Sequence, residues 1–190
     1  MRNFVIMCAL ASAAVGSAQT PANPPPGKLE LPRSVGPIRL GMPTQAFTHL
    51  TNQLPDCTPK QNCGAHESRA TAFIDTLPPG GGVGLPAMQQ FECAFVRDTL
   101  FVFSTPPLDR RYSAMRYRFN ALYGAPARED TTDAGLGEVI WESKVTRLTL
   151  YFARQGGSGS VPAGTATAVE YADVRLAKLA EKDRGDRPWP

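Results

Sequence analysis

Apolar side chains fall on every second position at Phe91, Cys93 and Phe95, which predicts a strand over residues 89–96 with these three on one buried face. A second apolar stretch, residues 100–104, follows after Arg97, Asp98 and Thr99, and that spacing predicts a β-hairpin. Leu100, Phe101, Val102 and Phe103 show no alternation at all. A strand of that kind is buried on both faces, so it belongs near the centre of a sheet with something packed over it. The cover is predicted at residues 109–123, where Tyr112, Met115, Phe119 and Leu122 recur at steps of three and four on one helical face. Gly124 supplies a C-terminal cap and Pro126 prevents continuation.

Order is expected to begin with a short strand at residues 37–41. Pro43 then suits the first turn of a helix reaching about residue 54, with Ala46, Phe47, Leu50 and Leu54 on its core face. A strand follows at residues 70–77, where Ala72, Ile74 and Thr76 share one side. Three more are expected at residues 138–142, 144–154 and 166–174, and in the middle one Thr146, Leu148, Leu150 and Phe152 form the core side. Leu176 and Leu179 suit a short C-terminal helix. The fold class is therefore α+β: an antiparallel sheet with helices packed on one face, in a single domain over residues 37–181. Gly80, Gly81, Gly82 and Gly84 in residues 78–86 fit no phosphate-binding spacing and read as a mobile connection. The Gly- and Ser-rich residues 155–164 read as another.

The two ends are read differently. Met1-Arg2-Asn3 precedes an apolar run over residues 4–15, and Gly16-Ser17-Ala18 places small residues before a cut, so residues 1–18 read as a secretory signal peptide. The run is too short for a membrane span, which needs about 20 apolar residues. Met7 before Cys8 does not suit lipoprotein processing, so no membrane anchor is expected. Residues 19–36, with Pro21, Pro24, Pro25 and Pro26, read as a Pro-rich linker. Residues 182–190 read as a charged, disordered tail, and the adhesion tripeptide Arg184-Gly185-Asp186 within it is a chance match.

Export changes how the cysteines are read. Losing Cys8 with the leader leaves Cys57, Cys63 and Cys93, an odd number, in an oxidising periplasmic or extracellular space. Cys57 and Cys63 bracket a short polar loop and suit a local disulfide, worth about 2 kcal/mol in the loop-entropy picture. Cys93 reads as a buried thiol acting as a small hydrophobe. A metal site from Cys57, Cys63 and His66, with His49 or Glu67 as fourth ligand, has the residue types zinc prefers but not a compact zinc spacing, so neither metal nor cofactor is expected. Of 190 residues, 20 are Lys or Arg and 17 Asp or Glu. Without Arg2 the excess is 19 over 17, a formal charge of +2 that argues against a nucleic-acid partner. Arg110, Arg111, Arg116 and Arg118 give the helix at 109–123 a basic surface, read as solvated.

The run Ile38-Arg39-Leu40-Gly41-Met42, leading into an amphipathic helix, resembles the opening of the small lipoprotein subunit of the outer-membrane barrel-assembly machine and of β-lactamase-inhibitor-like domains. The later order is similar to small exported proteobacterial proteins of unassigned function. It runs from a hairpin through a helix ending Leu122-Tyr123-Gly124-Ala125-Pro126 and a strand with Trp141 to Tyr171-Ala172-Asp173. Together these features span most of residues 37–176. The resemblance implies a sheet with helices on one face that works by binding other proteins. The chain departs from the pattern at Pro43, where a capping Ser or Thr is usual, and at Asp98-Thr99, where Asp-Gly is common; the lipid-bearing Cys is also absent. Neither a membrane attachment nor a set of binding residues carries over.

His49 and His66 lie in no recognised catalytic frame, and His66-Glu67 is followed by Arg69 and Ala70 where a zinc protease requires a second His at position 70. Paired carboxylates, Glu129 with Asp130 or Asp56 with Glu67, are more simply solvated loop residues. No catalytic residue is assigned. The leading expectation is a non-catalytic, exported module that binds a protein of the cell envelope; the alternative is a periplasmic hydrolase or metal-dependent enzyme around His66 and Glu67. A small-ligand carrier lined by Phe91, Phe95, Phe101 and Phe103 is a third expectation, with core packing the commoner use of such residues. Oligomeric state and partner identity stay open. Mass spectrometry of the native protein is expected to find an N-terminus at Gln19; a retained Met1 overturns the export reading.

Overall fold

The computed structural model describes residues 29–57, 63, 66–74, 89–130, 135–154 and 162–185. In chain order these form β1 (Ser34–Val35), β2 (Ile38–Arg39), α1 (Thr44–Thr51), β3 (Glu67–Ile74), β4 (Gln89–Val96) and β5 (Thr99–Thr105). They continue with α2 (Tyr112–Tyr123), β6 (Arg128–Asp130), β7 (Leu136–Glu142), β8 (Thr146–Ala153), β9 (Ala166–Asp173) and α3 (Val174–Arg184). β1 and β2 make a small ribbon, and the other described strands form one antiparallel sheet in the order β3-β4-β5-β9-β8-β7-β6. The mixed α+β class and the antiparallel sheet stand, with strands outweighing helices.

The hairpin of β4 and β5 turns on two residues, Arg97 and Asp98, both at positive φ (47° and 61°). Such a turn matches the right-handed twist of the strands but strains residues other than glycine. Surrounding contacts hold it. The Arg97 N–H donates to the His66 carbonyl at 2.9 Å, the Thr44 N–H donates to the Asp98 carbonyl at 2.8 Å, and the Arg97 guanidinium grips Asp183 with bonds of 2.9 and 2.8 Å.

β5 is buried on both faces, as its unbroken apolar run requires. Leu100 and Phe103 join the main core with Phe91, Phe95, Trp141, Leu148 and Leu150, covered by Phe47 of α1 and by Met115 and Phe119 of α2. Phe101 is the extra residue of a β-bulge: Ala94 pairs with Val102 while Phe95 pairs with Leu100. The bulge lets Phe101 and Val102 both reach the opposite face, where Ala177 and Ala180 of α3 pack on them with Ala94, Val96 and Ala172. Small alanines on both partners let the helix approach the strands closely. Thus α1 and α2 share one face as expected, and α3 adds a cover on the other.

Several boundaries move. Residues 29–36 had read as linker because of their neighbouring prolines, yet Leu31 and Val35 pack against the core and the Leu29 N–H donates to the Leu122 carbonyl at 3.0 Å. In α1 only Phe47 is buried. Leu50 and Leu54, expected on the core face, are 43% and 76% exposed; Leu54 falls beyond the helix, which ends at Thr51 where Asn52 turns left-handed. Lys182, Asp183 and Arg184, read as tail, complete α3, and Arg184 is buried against Glu67. The short strand β6 had no apolar pattern to announce it. Residues 78–86, 155–161 and 186–190 lie outside the described residues. No helix among the described residues is long and apolar enough to cross a membrane.

Gly137 stands directly across from Phe152, whose ring stacks on Tyr112 at 3.9 Å between centroids. A β-carbon at 137 would lie 2.4 Å from the Phe152 ring. Gly137→Ala is therefore expected to displace that stack and cost about 1–3 kcal/mol, read as a lower urea midpoint with an unchanged slope.

Candidate functional site

A groove of about 860 Å³ opens where the N-terminal segment crosses the end of the sheet. One wall is residues 29–33; the other is the β7–β8 turn, residues 142–146; Tyr123, Ala125, Ala127 and Trp141 line the rest. Trp141 is almost fully buried and donates its indole N–H to the Gly124 carbonyl at 3.0 Å, so its ring presents an apolar surface whose polar atom is already satisfied. Exposed Glu30 and Lys144 carry opposite charges on the two walls.

Asp173 joins the surrounding pieces. Its carboxylate accepts from Arg33 Nη2 at 2.5 Å and caps α3 by accepting from the N–H groups of Arg175 and Leu176 at 3.0 and 3.1 Å. The Val145 carbonyl accepts both from Arg33 Nη1 at 3.4 Å and from the Val174 N–H at 3.1 Å. Burial opposes the charge on Asp173, yet the bonds from Arg33 and the helix N–H groups outweigh it and hold the carboxyl below the usual carboxylate range.

A second polar array crosses the sheet face that carries α3. Strand register places Ile140, Thr149, Glu170, Ser104, Glu92 and Thr71 in one row from β7 to β3. Glu92 accepts from the Thr71 hydroxyl at 2.9 Å and the Gln90 amide at 2.6 Å. Burial pushes the Glu170 carboxyl up to about 7; the Arg147 guanidinium pulls the other way, Glu138 adds to the rise, and the bond to Tyr151 opposes it. Burial, followed by Glu170 and Glu138, also raises the Tyr151 hydroxyl. Arg147 and Arg128 are engaged by Glu142 and Glu138 at 2.6 and 2.7 Å.

The residues singled out from the sequence separate into different places. The sulfurs of Cys57 and Cys63 lie at disulfide distance, with their Cα atoms 6.2 Å apart. Cys93 is buried in the main core, and burial, with Glu92 adding to it, pushes its thiol up to about 12. His49 and His66 are exposed on α1 and just before β3. Glu67 is buried with Arg184, a pair with side chains 2% and 1% exposed, so its carboxylate ties α3 to β3 rather than facing solvent as a base. Among the described residues no group of three or more His, Cys, Asp or Glu could hold a metal ion. Glu129 is taken by Arg116 at 2.7 Å, and Asp109 by Arg111 at the same distance; Arg118 of α2 and Arg110 just before it are exposed. Asp56 bridges the edge of β3 through backbone bonds with Arg69 of 2.9 and 2.7 Å. Phe91, Phe95, Phe101 and Phe103 are all fully buried, and they divide between the two cores.

No family model, curated protein or solved structure matches the chain. The groove and the Glu170 row therefore rest on geometry alone. Reading the sequence missed both. Arg33 lay in a segment taken as linker, and Asp173 is 140 residues from it. Glu170 sat as a lone acid in a strand between Ala168 and Ala172 on its own side, with no local signal of its setting.

Glu170 gives a pH signature. An unfolded glutamate releases its proton near 4.5, the folded one near 7, so in that window folding retains a proton and stability falls as pH rises, levelling above 7. Glu170→Gln is expected to flatten this part of the profile and raise the neutral-pH unfolding midpoint. Urea titrations from pH 4.5 to 8 check it: an unchanged slope in the variant overturns the assignment.

Proposed function

We propose that the protein is an exported, non-catalytic binding domain of the bacterial cell envelope, and that the groove beside Trp141 receives a segment of a partner protein. The observation that carries this reading is the groove: a partly open concavity of about 860 Å³ with an apolar floor and opposite charges on its two walls. Apolar concavities with a few placed polar groups are the usual form of a recognition site. The resemblance of residues 38–42 to exported protein-binding domains, and of the order that includes residues 122–126 to exported proteins of unassigned function, supports it. The cysteine pair at disulfide distance suits an oxidising space. The alternative of a hydrolase around His66 and Glu67 gains no support, because Glu67 is committed to Arg184.

A photo-crosslinking residue placed at exposed Ala125, on the groove rim, is expected to give a discrete protein adduct in the exporting cell. The same residue at exposed Tyr117, away from the groove on α2, is expected to give none. Equal labelling from both sites, or no adduct from Ala125, overturns the reading.

A further inference from the structure

We propose that residues 29–33 form a latched strap, with the Arg33–Asp173 ion pair as the clasp whose release opens the groove; this rests on the groove being the binding site. At its outer end the strap is held by a backbone bond from the Leu29 N–H to the Leu122 carbonyl at 3.0 Å. At its inner end the Leu40 N–H donates to the Arg33 carbonyl at 2.8 Å, which fixes the pivot where the β1–β2 ribbon begins. Between these points Pro32 has no N–H to offer, Leu29 and Glu30 are exposed, and Leu31 leans on the core that contains Trp141. The guanidinium of Arg33 is therefore the principal side-chain tie.

Arg33–Asp173, Arg97–Asp183 and Glu67–Arg184 fasten distant chain segments across this fold, and the first and last differ in what breaking them leaves behind. Separating Glu67 from Arg184 would strand two charges that are 2% and 1% exposed, which makes that pair a permanent fastening. Separating Arg33 from Asp173 strands less. Arg33 is already 38% exposed and can rehydrate; the Asp173 side chain is 10% exposed, and its Oδ1 keeps the two N–H donors of the α3 cap while Oδ2 gives up Arg33 and meets the water that a displaced strap admits. A charge pair with one half-exposed partner, whose other partner stays held on one oxygen, parts at lower cost than a pair buried on both sides, and one that lies partly in water responds to salt. Opening uncovers the Trp141 side of the groove and leaves α3 capped, so the sheet and its helices need not loosen.

The full chain carrying Trp189→Phe leaves Trp141 as the one tryptophan, and acrylamide quenching of its fluorescence reads the groove directly. Arg33→Met, which keeps the apolar stem, and Asp173→Asn, which can still cap α3, are each expected to raise strap opening about fivefold. That increase should appear both in quenching and in amide exchange at Leu31 and Arg33, with Phe103 and Leu148 amides still protected. Raising salt from low to molar levels should do the same in the parent and add nothing in Arg33→Met. Quenching and strap exchange that stay unchanged in Asp173→Asn and in high salt overturn the latch. So does a rise in which the Phe103 and Leu148 amides lose protection in step with the strap. Should Arg33→Met not fold, Asp173→Asn and the salt series decide. A latch that opens while Ala125 yields no adduct would instead count against the binding reading.

Discussion

Everything in the fold follows from a strand that has no side willing to face water. β5 carries Leu100, Phe101, Val102 and Phe103 in succession, so both sides of the sheet need a roof at that point. α1 and α2 supply one, and α3 supplies the other by folding back from β9 directly beside it. The bulge at Phe101 completes the arrangement, because it turns an extra large side chain toward α3. At ~25 cal/mol per Å², a phenylalanine taken out of water contributes on the order of 2–3 kcal/mol, which outweighs the local irregularity.

Three carboxylates meet the same difficulty, loss of water, by different means. Glu67 takes a buried guanidinium and becomes a fastening. Asp173 shares its charge among the first N–H groups of a helix and a half-exposed arginine, and so depends on no single partner. Glu170 has Tyr151 beside it and Arg147 engaged elsewhere by Glu142, and the easier course is to keep its proton into the neutral range. Which course each takes is decided by neighbours brought from distant parts of the chain.

That also explains what could be read in advance. Period-two and period-four patterns located β4, β5, β8, β9 and α2, because those elements bury one face or both and the burial is written locally. The inner side of β8, with Thr146, Leu148, Leu150 and Phe152, came out correctly for the same reason. β6 was not legible, since Arg128, Glu129 and Asp130 are all charged and show no apolar alternation. The segment from Leu29 to Arg33 was obscured by the prolines before it, and the apolar promise of Leu54 failed because the helix stops at Asn52. Ion pairs between residues more than a hundred positions apart leave no local trace, so the groove, its walls and the Glu67–Arg184 contact were beyond reach of pattern.

Cys93 sits in β4 behind the hairpin, with its sulfur buried and its proton firmly held. In the native state it is a poor nucleophile toward any cystine, because thiolate is the attacking species. During synthesis that protection is missing, and a third thiol lies only thirty positions beyond Cys63. The order of events then matters: if the hairpin closes first, the small ring forms alone, and if it lags, three alternatives compete and an isomerase becomes useful. Correct pairing is thus a property of folding rate as much as of cysteine spacing.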